Sequence, residues 1–174
     1  MMLAWFTTTD DCAPGHADRL LEDLARRLEP ALARRGLALA GAVQRNLDLG
    51  PDIPCDMEMV VLGCDGPPLR ISQSLGPGAQ GCRLDTGALE QAVARTAPRL
   101  PGAALVIIPK FGRQEAMGRG FRDLIGRAVA EGQPVVTYVP RQQAAAFADF
   151  AGDLAQRVEP EDLCDWCLDR AGAQ

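Results

Sequence analysis

Lys110 is the single lysine among 18 basic residues, the other 17 being arginine. It follows the apolar run Ala104-Leu105-Val106-Ile107-Ile108 and Pro109. Residues 104–127 hold Lys110, Arg113, Arg119, Arg122 and Arg127 against Glu115 and Asp123, a local charge of +3. The rest of the chain has 13 basic and 21 acidic residues, or −8. A positive island on a strand-to-helix loop suits an anion. Gly118 and Gly120 would let backbone N–H groups approach an oxyanion, and a helix starting near Phe121 would add its positive N-terminal dipole. Arginine forks match tetrahedral oxyanions. A second glycine-rich loop carries Gly76, Gly78 and Gly81 and leads to Cys82 and Arg83. If the loops are neighbours, Arg83 and these glycines join the same site. The alternative is that the arginines pair with surface carboxylates and the glycines serve turns.

Other chemistry is sparser. Glu115 and Lys110 are the candidates for catalysis, one to orient a water and the other to stabilise developing charge. Cys55 and Cys82 are the candidate metal ligands, since a soft thiolate could take a metal or an oxomolybdenum species. Two thiols make a poor metal site within one chain, and buried small thiols are the plainer reading. His16 is the only histidine, which leaves no histidine metal cluster and no histidine-centred triad. Cys164-Asp165-Trp166-Cys167 is a lone C-x-x-C without the second pair of a zinc ribbon. It reads as idle thiols at a helix end.

These residues need elements to position them. The 174 residues suit one domain, 1–174. Strands are predicted at 3–8, 37–44, 57–62, 69–73, 104–108 and 134–139, with a hairpin turning around 63–68. Helices are predicted at 17–35, from Asp85 or Thr86 to 100, and at 121–131. C-terminal helices are expected over 142–157 and 162–170. Residues 45–55 and 111–120 read as loops. Alternating strands and helices predict an α/β three-layer sandwich with a mostly parallel sheet plus the hairpin. Ligands of such sheets bind beyond the carboxyl ends of the strands.

Net charge −5 and pI about 4.9 argue against broad nucleic-acid binding. No apolar run nears the roughly 20 residues that cross a bilayer, so no membrane insertion is expected. The start, Met1 to Phe6 followed by Asp10 and Asp11, is unlike a signal peptide, and a cytoplasmic location with reduced thiols is expected. Exposed strand edges and small size point to a homo-oligomer, with a homodimer the first expectation.

Two long segments carry a family resemblance. They are residues 71–85, Ile71-Ser72-Gln73-Ser74-Leu75-Gly76-Pro77-Gly78-Ala79-Gln80-Gly81-Cys82-Arg83-Leu84-Asp85, and residues 110–122, Lys110 to Arg122. With the strand 105–108, Gly41-Ala42-Val43-Gln44 and Cys55-Asp56-Met57, they resemble an uncharacterised bacterial family whose genes often lie beside molybdate-transport genes. More distantly, the layout resembles small P-loop nucleoside triphosphatases. That resemblance implies a phosphate loop after the first strand and an acidic pair after a later apolar strand. Residues 7–18 instead hold one glycine, no lysine and no G-K-[ST], and the place of the acidic pair is taken by Pro109-Lys110. The expectation is a non-hydrolysing protein with a P-loop-like fold that binds a small anionic ligand, an oxyanion or a phosphorylated compound. The resemblance implies a link to molybdate homeostasis, with molybdate or a nucleotide with Mg as the ligand. The alternatives are an unconventional nucleoside-triphosphate phosphatase and a cysteine-based metal carrier.

Overall fold

The structure is a computed structural model that describes residues 1–9, 12–50, 55–73 and 83–172. Its centre is the strand β5 (Ala103–Ile108), in which every residue is buried. A continuous apolar run is what a strand covered on both faces requires. Val106 and Ile108 enter one core cluster, and Leu105 and Ile107 enter the other. The same alternation holds in β1 (Leu3–Phe6), whose Leu3 faces the first cluster while Ala4 and Phe6 face the second.

Seven strands form one sheet. The others are β2 (Ala38–Leu47), β3 (Asp56–Val61), β4 (Leu69–Arg70), β6 (Val135–Tyr138) and β7 (Ala155–Arg157). The spatial order is β4-β3-β2-β5-β6-β1-β7. β2, β5, β6, β1 and β7 pair in parallel, and β3 and β4 are added antiparallel at one edge. Helices α1 (His16–Ala33) and α6 (Leu163–Ala171) cover one face. Helices α2 (Thr86–Thr96), α4 (Arg122–Ala130) and α5 (Ala144–Ala151) cover the other. A single turn, α3 (Arg113–Ala116), lies between β5 and α4. This is the expected α/β three-layer sandwich, consistent with a P-loop-NTPase-like architecture.

α1 follows from its apolar stripe: Leu21, Leu24, Ala25, Leu28 and Leu32 recur every three or four residues and are all buried. At β2, Gly41 has φ +116°, and any Cβ there would run into the backbone of Ile107. Only glycine lets β2 lie this close to β5.

Strands β1 and β4 end at Phe6 and Arg70, short of the expected 8 and 73, and four larger differences follow. β2 continues through Arg45 and Asn46 to Leu47 and makes an antiparallel pair with β3, where a loop was expected. Its polar residues are met by α1: Arg45 pairs with Glu22 at 2.7 Å, and Asn46 donates to Asp18 at 2.8 Å. The expected helix 142–157 stops at Ala151. Gly152, at φ +51°, turns the chain into β7, which pairs with β1. The helix expected to run to Leu100 ends at Thr96, and a 3-10 turn over Ala97–Arg99 contains Pro98. The expected loop 111–120 contains α3. The hairpin around 63–68 is present as the β3–β4 pair.

Candidate functional site

The sheet places Lys110 at the carboxyl end of its central strand. Pro109 before it is buried, and Phe111 after it is buried with its N–H donated to the Tyr138 carbonyl at 2.8 Å. The backbone on both sides is therefore fixed, and the half-buried side chain of Lys110 stands at the strand end. Among the described residues it has no ion pair. Two carboxyls, the half-buried Asp18 and the buried Glu115, feel its charge. Burial pushes Asp18 and Glu115 upward from their ordinary values, and Lys110 acts in the opposite direction on both.

Lys110 borders two cavities. The first, of about 320 Å³, lies among β2, β3, α2 and α3. Its apolar wall includes Met57, Met59, Ile71 and Leu89, and its cationic rim is Lys110, Arg113 and Arg83. The second, of about 230 Å³, lies at the ends of β1 and β6 and at the start of α1. There Lys110 is joined by Thr8, His16, Asp18 and Tyr138. α1 lies on one face of the sheet and the helices after β5 and β6 on the other. The second cavity thus occupies the crevice where α/β sheets receive ligands.

The residues expected to form one anion site are divided among several places. Arg113 is exposed, borders the first cavity and has no ion pair among the described residues. Arg83 also borders it, but donates to the Cys55 carbonyl at 2.7 Å and lies 3.5 Å from Asp56. Arg122 does not reach either cavity. Its guanidinium lies 4.4 Å from the Phe150 ring centroid and donates to the Glu115 carbonyl at 3.2 Å. Arg119 and Gly118 border a separate depression that also contains Glu90 and Asp123. Gly76, Gly78, Gly81 and Cys82 lie outside the described residues.

The backbone amides expected to receive an oxyanion are already engaged. Gly118 N–H donates to the Glu115 carbonyl at 3.1 Å, and Arg119 N–H to the Gln114 carbonyl at 2.9 Å. Gly120 N–H donates to Glu90 Oε1 at 2.8 Å. Phe121 N–H donates to Glu115 Oε1 at 3.0 Å, and Gly112 N–H to Glu115 Oε2 at 2.9 Å. The anion at the start of α4 is the protein's own Glu115, which satisfies amides that a helix end leaves open. Gly118 and Gly120 take positive φ, +82° and +58°, in this loop. Both oxygens of Glu115, the candidate for orienting a water, accept from backbone amides. The signal was in the sequence: Gly112 followed three residues later by Glu115 is a capping-box spacing.

Residues outside the expected set also line these walls. Gln44 is 4% exposed, borders the first cavity and donates Nε2 to Asn46 Oδ1 at 2.9 Å and to Asp18 Oδ2 at 3.4 Å. Its Oε1 is buried with no partner among the described residues. A glutamine at a buried register position of β2 was the available clue. Cys55 is exposed, and among the described residues no three metal-ligating side chains gather. Cys167 is buried in α6, and burial, with Cys164 nearby, pushes its thiol up to about 12. That thiol is a packing group. No helix among the described residues is long and apolar enough to cross a membrane.

The family model described as "Protein of unknown function (DUF2478)" matches residues 7–166. A protein of Bradyrhizobium diazoefficiens named molybdenum import ATP-binding protein ModC 2 is 38% identical over 149 residues. That span is 85% of this chain and 16% of the relative's length. No solved structure matches.

Proposed function

The chain belongs to the DUF2478 family, and we propose that this member binds a small anion without hydrolysing it, at the first cavity with Lys110 and Arg113 as the gripping charges. The observation that carries this reading is Lys110: a half-buried ammonium at the end of the central strand with no ion pair among the described residues. A cation held in place this way attracts an anion more strongly than a solvated surface lysine does. The chain's departures from a triphosphatase support binding over hydrolysis. The β1–α1 connection has no G-K-[ST], Pro109-Lys110 follows β5, and Glu115, the acidic residue that follows Lys110 in its loop, caps backbone amides.

The relative's name points to oxyanions of molybdenum as the first ligands to test, with phosphorylated compounds beside them. Isothermal titration with molybdate, tungstate, inorganic phosphate and ATP is the direct experiment. At least one binds, and Lys110→Ala weakens it by about tenfold or more, the loss of one hydrogen bond to a charged group. No binding by any of the four, or binding indifferent to both Lys110→Ala and Arg113→Ala, overturns the reading.

A further inference from the structure

The first cavity is much larger than a bare oxyanion needs. Its roughly 320 Å³ is about ten times the share of one water in the liquid. Behind the cationic rim the wall is made of Met57, Met59, Ile71 and Leu89, of which Met59 and Ile71 are almost wholly buried. An inorganic anion on the rim would leave that apolar space to water. Sites of this size with apolar walls and a few placed polar groups suit organic ligands. Methionine thioethers in particular adapt to aromatic rings.

One residue of the wall, Gln44, carries a buried polar atom with no partner among the described residues. Gln44 cannot turn its amide around freely, because Nε2 faces the two acceptors Asp18 Oδ2 and Asn46 Oδ1. Oε1 is thereby set on the opposite edge, buried and unpaired. Buried acceptors without a donor are rare in folded proteins and call for an explanation. A donor brought by a ligand supplies one.

We infer that the first cavity takes an aromatic organic anion bearing a ring N–H, its acid group on Lys110 and Arg113, its ring against Met57 and Met59, and its N–H on Gln44 Oε1. The inference rests on the reading of Lys110 and Arg113 as an anion-gripping rim and adds the rest of the ligand. It places the ring on the side of Lys110 away from the β1–α1 connection, so the ligand body lies apart from the second cavity.

The probes are indole-3-carboxylate, its N-methyl derivative and inorganic phosphate, titrated into the whole chain by isothermal calorimetry. Indole-3-carboxylate binds at least tenfold more tightly than phosphate. N-methylation costs about tenfold, since it removes the donor and keeps the ring and the charge. Gln44→Leu abolishes the preference for the N–H form. Met59→Trp fills the cavity and removes indole binding while phosphate binding stays. Should Gln44→Leu fail to fold, the pair of indole probes on the unaltered protein still decides. Equal affinity for phosphate and indole-3-carboxylate, with both sensitive to Lys110→Ala, overturns the aromatic ligand and leaves the anion-binding reading standing. Equal affinity for the two indoles overturns the role of Gln44 and with it the inference as stated. Failure of every probe overturns the inference, and the anion-binding reading falls with it only if molybdate, tungstate and ATP also fail to bind.

Discussion

Glu115 gives one carboxylate to two backbone amides, those of Gly112 and Phe121, and both residues are buried. Its removal leaves two donors without a partner and without easy access to water. Glu115→Ala is therefore expected to cost roughly 2–4 kcal/mol of stability, measurable by denaturant unfolding. Burial also sets a pH dependence. It raises Asp18 above its ordinary 3.8 and Glu115 above its ordinary 4.5. A carboxyl raised on folding holds its proton more tightly in the folded chain. Its contribution is complete below the ordinary value and is lost as pH rises through the raised one. Asp18→Asn removes one of these titrations. Relative to that variant, the unaltered protein should lose stability as pH rises above about 4. An identical pH profile for the two proteins would contradict this assignment.

At the level of elements, the sheet depends on how closely β2 and β5 approach. Gly41→Ala would set a Cβ against the Ile107 backbone at a residue whose φ is +116°. Strain and overpacking together should cost about 3 kcal/mol or more, read as a lowered unfolding midpoint at unchanged m-value. Much of this architecture was legible in the chain. The run 104–108 announced a central strand, and the stripe from Leu21 to Leu32 announced α1. What escaped depended on distant partners. Arg45 and Asn46 look like loop residues until Glu22 and Asp18 of α1 are set beside them. Ala155-Gln156-Arg157 has no strand pattern of its own, and only its pairing with β1 makes it β7. The candidate site was legible in the same uneven way. Lys110 and Arg113 were visible because cations after a buried strand are conspicuous. Gln44 was hidden because its importance lies in an oxygen that nothing meets. The place of Arg122 was hidden because its aromatic partner, Phe150, is contributed by a later helix.

For the whole molecule, the charge pattern and the sheet edges matter most. The net −5 surrounds a local +3 that the fold then divides, sending Arg122 to an aromatic cluster and leaving Lys110 and Arg113 at one cavity. The edge strands β4 and β7 are two and three residues long. So short an edge offers little template for strand pairing with another copy. Lys110 has a consequence at this scale because it is a wall of two cavities at once. A single ammonium cannot neutralise two anions. Anions placed in the crevice and in the larger chamber would consequently be rivals, linked through one shared charge. Thermodynamic reciprocity requires each to weaken the other by the same factor. Titrating a chamber ligand at rising concentrations of a crevice anion should show that antagonism. Lys110→Ala should uncouple the pair, leaving two weak sites that ignore each other.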